Sequence, residues 1–169
     1  MKYLIRRMRP EDFEALLPLQ REIQILHENG RPDLFRPGAV SYTENAFFSA
    51  LADETGRHAV CAALDRDGNE TELVGFLFAW VRHRRGHRNL NDEDFLLVDD
   101  ICVEESHRRR GIGKALFRYA EAAAEEAGCG RVVLDVYRFN ENALAFYRAM
   151  GFREEAVRLE KESEVWDED

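Results

Sequence analysis

The sequence predicts one mixed α/β domain, and three observations predict it. Apolar runs spaced as strands alternate with runs spaced as helices along the whole chain. The 169 residues are 45% apolar, enough for one sizeable core and too few for two domains of ordinary size. A strand over residues 95–103 leads through a short glycine-bearing turn into a helix from 112, followed by a further strand, the alternation of an α/β domain.

The elements follow in order. Residues 3–6 read as a short first strand, and Pro10-Glu11-Asp12 supplies a helix start with proline and acids in its first turn. Phe13, Leu16, Leu17, Gln20, Ile23, Ile25 and Leu26 continue it as an amphipathic helix that Pro18 should kink or restart. Asn29 to Pro32 and Arg36 to Gly38 mark a loop, and residues 44–51 a second short helix. Residues 58–64 and 72–81 are strand-like and flank Asp65-Arg66-Asp67-Gly68-Asn69, whose Asp-Gly signals a hairpin turn. Gly75 to Trp80 is apolar on both faces, as a central strand is. A basic, flexible loop over residues 82–94 leads to a strand over 95–103. Residues 112–127 form a helix closed by Gly128, 132–137 a strand, 141–150 a helix and 156–160 a last strand.

Composition narrows the function classes. Charge returns at Arg6-Arg7 before a signal peptide can develop, and no stretch approaches the roughly 18 apolar residues of a membrane span. Cys61, Cys102 and Cys129 lie far apart without a CxxC pair, which suits a cytoplasmic protein and argues against a disulfide framework or a zinc site. A net charge of −9 disfavours nucleic acid and slightly favours cationic substrates.

The chemistry concentrates where the strand ending at Val103 meets the helix starting at Ile112. Arg108-Arg109-Arg110-Gly111-Ile112-Gly113-Lys114 places two glycines and four cations at a helix N-terminus, where unpaired N–H groups attract phosphate. A P-loop fails twice: its first glycine would fall on Arg108, and Ala115 stands where Ser or Thr belongs. A dinucleotide fingerprint started at Gly111 would need a third glycine at Leu116. The pattern that fits is [RQ]-x-x-G-x-[GA], and here the chain resembles the GNAT superfamily of N-acetyltransferases. The plain alternative is a glycine turn ringed by solvated arginines. A second motif counts against it: Asn140, Ala143, Phe146-Tyr147 and Gly151-Phe152 match that superfamily's Asn-x-x-Ala, aromatic-Tyr and Gly-Phe signature. The resemblance spans about residues 73–159.

It implies a GNAT-like domain over residues 1–169 with an acidic tail from about 160, a mostly antiparallel sheet with one splayed parallel strand pair, and helices on both faces. It implies acetyl-CoA as co-substrate and no metal. Backbone groups of Ile101, Cys102 and Val103 would meet the acetyl-pantetheine arm. Amides from Arg109 to Lys114, with Arg108, Arg110, Gly111, Ile112 and Gly113, would hold the pyrophosphate. Asn140, Ala143 and Tyr147 would complete the cofactor site.

The transfer needs a neutral amine, yet an alkylammonium of pKa about 10.4 is neutral in only about one molecule in a few thousand at pH 7. Asp99 is the candidate base, directly or through water, on a strand resembling that of polyamine acetyltransferases. On a regular strand Asp99 and Asp100 face opposite ways, so they form no proton-sharing pair unless a bulge intervenes. A solvated strand carboxylate is the competing reading for Asp99. An N–H near Ile101-Cys102 would serve the oxyanion. Cys102 has no adjacent base to make it a nucleophile, and the family usually transfers directly. Tyr147 is the family's usual general acid; a hydrogen bond to the departing thiolate is what its phenol can supply.

Other features carry less. His83 and His87 are four apart but crowded by arginines that repel metal. Arg31 to Phe35 sits where acceptor pockets form, or is a plain connector. The acceptor is a small-molecule amine or a protein amino group, and a homodimer through an edge strand or the tail near Trp166 is compatible. A non-catalytic acetyl-CoA-binding sensor is the alternative class.

Overall fold

The computed structural model describes residues 2–53, 56–66 and 68–161. They fall into two compact units, Met1–Asp135 and Val136–Asp169. The first contains β1 (Lys2–Arg7), a 3₁₀ turn (Pro10–Asp12), α1 (Phe13–Gly30), α2 (Glu44–Ala52), β2 (Arg57–Arg66), β3 (Asn69–Arg84), β4 (Glu93–Val103), a second 3₁₀ turn (Glu105–His107), α3 (Ile112–Glu126) and β5 (Arg131–Leu134). The second contains α4 (Glu141–Ala149).

The sheet runs β1-β2-β3-β4-β5, antiparallel except for the parallel pair β4 and β5. Period-2 alternation sends side chains of β3 to two faces. Phe76 and Phe78 join Cys61, Ala59 and Cys102 in a core shared with Leu16 and Leu19 of α1 and Phe47 and Ala50 of α2. Each fully buried phenylalanine there is worth about 2–3 kcal/mol of apolar burial. Gly75 points the other way, toward α3: a Cβ on it would meet the Cys102 carbonyl at 2.9 Å, Leu116 at 3.4 Å and Ile112 at 3.5 Å. The missing side chain lets Ile112 and Leu116 of α3 pack directly on β3. Helices therefore cover both faces.

Several expectations are corrected. Pro18 does not restart α1, which runs unbroken through it. One hydrogen bond is lost in the second turn, and buried Leu16, Leu19, Gln20 and Gln24 on both sides hold the helix regardless. The basic loop of 82–94 is shorter than predicted, because β3 and β4 extend outward on opposite-charge pairs. Arg84 bonds Glu93, Arg85 reaches Asp94 at 2.6 Å, and His83 Nδ1 lies 2.8 Å from Asp94 Oδ1. β5 stops at Leu134 rather than residue 137. Residues 156–160 form no strand; Val157 and Leu159, the alternating apolar pair that suggested one, are 67% and 88% exposed. Asp67 of the hairpin turn and the tail from 162, with Trp166, lie outside the described residues.

Candidate active site

β4 is the axis of the site. Its ladder to β5 runs from Phe95↔Arg131 to Val98↔Leu134 and ends there. Its ladder to β3 slips at the same height: Phe78 pairs with Asp100 and Ala79 with Val98, so Asp99 is an extra, unpaired residue. That is a β-bulge, and bulges re-aim side chains. Beyond it, Ile101, Cys102 and Val103 continue beside β3 with no ladder to β5 among the described residues. β5 itself ends at Leu134, so β4 runs on past it.

The bulge brings the two carboxylates together on the α1–α2 side. The Tyr42 hydroxyl donates a short hydrogen bond to Asp99 Oδ2, while Asp100 accepts from the neighbouring Ser41 side chain and from the Ile101 amide. Asp99 is exposed and Asp100 partly buried. Burial, reinforced by the charge of Asp99, pushes the Asp100 carboxyl up to about 6 against the hydrogen bonds that favour its ionised form. Tyr42 is 4% exposed, and its ring stacks on Phe78 with centroids 3.8 Å apart. Burial, then the hydrogen bond to Asp99, hold its phenol far above the ordinary range, so it keeps the proton that it donates to Asp99. Burial pushes the Cys102 thiol up to about 12, which removes the thiolate a covalent route would need at neutral pH.

Tyr42 sits in the segment between α1 and α2, and α1 holds that segment by a polar stripe. Gln20 Nε2 donates to the Tyr42 carbonyl at 3.1 Å and its Oε1 accepts from the Tyr42 amide at 2.7 Å. Gln24 donates to the Arg36 carbonyl at 2.9 Å, and Glu28 accepts from the Gly38 amide at 2.8 Å. These residues recur every four positions along one helix face.

At the far end of β4 the chain turns into α3. Gly111 caps the helix with φ 84°, and Arg109 two residues earlier also has positive φ, 62°. Only glycine adopts the former without cost, whereas the arginine carries strain of about 1–2 kcal/mol. A helix leaves its first N–H groups without intrahelical acceptors, here those of Ile112, Gly113 and Lys114. Gly111 is exposed, and a Cβ on it would meet nothing within 4 Å, so a phosphate can approach the backbone. Arg109, Arg110 and Lys114 are exposed around the turn. Arg108 turns back instead: its Nε donates to the Val103 carbonyl at 2.9 Å and its Nη2 pairs with Glu22 of α1. It ties strand, turn and helix together. The residues fit a diphosphate on geometry and charge alike.

In the second unit, Asn140 is the N-cap of α4, its Oδ1 accepting from the Ala143 amide at 3.2 Å. The Asn-x-x-Ala spacing is thus a capping distance. Tyr147 is partly buried, with Phe146 and Phe152 rings at 5.5 and 5.8 Å, and Gly151, at φ 90°, lets the Phe152 amide return to the Tyr147 carbonyl. Among the described residues no group of three or more His, Cys, Asp or Glu is arranged to hold a metal ion.

Sequence reading missed Asp100 as a candidate, and Tyr42, Ser41 and Glu22 altogether. One signal was available. Gln20 interrupts the apolar face of α1, and a polar residue there must find a buried partner.

Comparison with known proteins agrees with this geometry. The model of the acetyltransferase (GNAT) family matches residues 22–152. Streptothricin acetyltransferase of Streptomyces lavendulae is 44% identical over 85 residues, which is 50% of this chain and 41% of that protein. A probable glucosamine 6-phosphate N-acetyltransferase of Oryza sativa is 30% identical over 116 residues, covering 68% of this chain and 65% of its own. The chain thus spans between about two fifths and two thirds of the length of these curated relatives. Among solved structures, a mutant of the BH1408 protein from Bacillus halodurans superimposes with a TM-score of 0.87 at 22% identity, covering 95% of this chain and 99% of that one. An aminoglycoside acetyltransferase from a soil metagenomic sample gives 0.68 at 19% identity, covering 96% and 97%. With the family model matched across more than half of its length, the chain belongs to the GNAT acetyltransferase family.

Proposed function

We propose that this protein transfers an acetyl group from acetyl-CoA directly to a primary amine of a cationic small molecule. The observation that carries the reading is the build of β4. A bulge presents two carboxylates on one side, the strand then loses its β5 neighbour, and it ends in an open, cationic helix N-terminus.

Each part has a task. The Gly111 turn and the first amides of α3, with Arg109, Arg110 and Lys114, hold the pyrophosphate. The backbone of Ile101 to Val103 meets the acetyl-pantetheine arm. The Asp99–Asp100 pair draws in the ammonium and removes one proton, offsetting the deficit of about 4–5 kcal/mol that an amine of pKa about 10.4 carries at pH 7. The nitrogen lone pair then forms the bond to the acetyl carbon, and the carbon–sulfur bond breaks with its electrons going to sulfur. The second nitrogen proton ends on the thiol, and the carboxylate's proton leaves to solvent. By family resemblance, Tyr147 hydrogen-bonds the departing sulfur, and Asn140 and Ala143 belong to the cofactor site; we extend the single-domain reading to residues 1–169.

The acceptor class rests on charge: two adjacent carboxylates and a net charge of −9 favour cations. Relatives named for streptothricin, glucosamine 6-phosphate and ornithine, and a fold neighbour solved with a coenzyme A–acetylneamine bisubstrate analogue, support small-molecule amines. Three free cysteines fit a cytoplasmic setting. Thiol release measured with acetyl-CoA and a panel of streptothricin, sisomicin, glucosamine 6-phosphate, ornithine and spermidine tests the reading. Release above background with at least one cationic amine is expected. No release with any amine, despite tight coenzyme A binding, would favour the sensor.

A further inference from the structure

The two carboxylates at the bulge are neighbours in sequence but not equivalent in their surroundings. Asp99 is the exposed one, yet it is tied to the protein interior through the hydroxyl of buried Tyr42. Asp100 is the more enclosed one, and its donors are an exposed serine hydroxyl and its neighbour's amide. Tyr42 cannot drift. Its ring is stacked on Phe78, and Gln20, 1% exposed, grips both its amide and its carbonyl. A glutamine buried on the core face of a helix costs stability unless both ends of its carboxamide are satisfied, and here the backbone of one residue satisfies both.

We propose that Tyr42, held by Gln20, is a positioning residue: it fixes Asp99 as the carboxylate that anchors the acceptor's positive charge and leaves Asp100 to take the proton. The assignment rests on the transferase reading above. A phenol donating to a carboxylate holds it in one orientation and occupies one of its lone pairs, which suits an anchor. Tyr42 engages Oδ2 of Asp99, so Oδ1 is the atom that meets the ammonium. The groups that bear on Asp100 agree: Asp99 beside it opposes its ionisation, Ser41 and the Ile101 amide favour it, and burial outweighs them. The charge of Arg57 reaches Tyr42. In the reaction the ammonium gives one proton to Asp100, which passes it to solvent after the acetyl group has moved.

The test is a double-mutant cycle in steady-state kinetics with the best acceptor of the panel, on wild type, Y42F, D99N, Y42F/D99N and D100N. Tyr42→Phe keeps the stacked ring and deletes only the donated hydrogen bond. It should raise KM for the amine about tenfold with kcat within about twofold, and Asp99→Asn should do the same or more. On the D99N background, Y42F should add less than about twofold, because its effect runs through Asp99. Asp100→Asn should instead lower kcat by about a hundredfold or more with KM little changed. Purely structural damage from Y42F would multiply onto D99N, and that result overturns the proposal. So does a D99N that loses kcat while D100N keeps it, a comparison that stands even if Y42F fails to fold. A wild-type protein inactive with every amine defeats the transferase reading and this assignment together; an active one with additive Y42F and D99N effects defeats this assignment alone.

Discussion

Replacing Asp100 by asparagine should make the folded protein more stable at pH 8, and the gain should vanish in acid. The Asp100 carboxyl is pushed by burial from an ordinary 3.8 up to about 6 in the folded state. The folded protein therefore holds that proton more tightly than the unfolded chain does. The stability contributed by protonation is complete below about pH 4 and is lost as the pH rises through about 6; above that, ionised Asp100 is a net cost to folding. Two pH units at 1.36 kcal/mol each set a ceiling of about 3 kcal/mol. Asparagine carries no charge to desolvate, and its carbonyl still accepts from the Ile101 amide and Ser41. For a chain of this size, a gain of that order raises Tm by at most about 6–12 °C. Thermal melts of D100N and wild type from pH 4 to pH 8 read the difference directly. A variant less stable than wild type at pH 8, or a difference that stays flat across that window, would refute the reasoning.

Three further outcomes follow. The acid limb of kcat/KM should bend near pH 6 and lose about tenfold by pH 5, because Asp100 must be ionised to accept a proton; the pH profile of thiol release checks it, and D100N should lack the limb. Tyr147→Phe should lower turnover while leaving acetyl-CoA affinity within about twofold by calorimetry, which tests the role proposed for Tyr147 as donor to the departing sulfur. Gly75→Val should destabilise by more than about 3 kcal/mol in urea melts, because its Cβ would lie 2.9 Å from the Cys102 carbonyl with Leu116 and Ile112 close behind.

Much of the fold was legible because the signals were local. The Gly111 turn, the α3 helix and its Gly128 cap are written in consecutive residues, and the strand–helix order follows from hydrophobic period. Long-range register was not legible. The bulge at Asp99 exists only as a mismatch between β3 and β4, so the sequence alone left Asp99 and Asp100 on opposite faces. Tyr42 lies 57 residues before Asp99, and no short motif joins them. The extra strand length at 82–84 and 93–94 depends on cross-strand charge pairs that are invisible until the two strands are aligned. Val157 and Leu159 alternate as a strand does, but alternation without a pairing partner leaves them exposed. Arg108 fits the phosphate motif by spacing, while its side chain turns toward Glu22, a residue on a helix far back in the chain.

Titration calorimetry with coenzyme A on wild type and on Gly111→Val tests the central claim most directly. A diphosphate gripped by the backbone of the Gly111 turn predicts saturable one-to-one binding by wild type. It also predicts at least about tenfold weaker binding by the variant, whose β-branched side chain does not tolerate φ 84° and stands where the phosphate must come. No heat of binding with wild type, or equal affinity in a folded Gly111→Val protein, would contradict it.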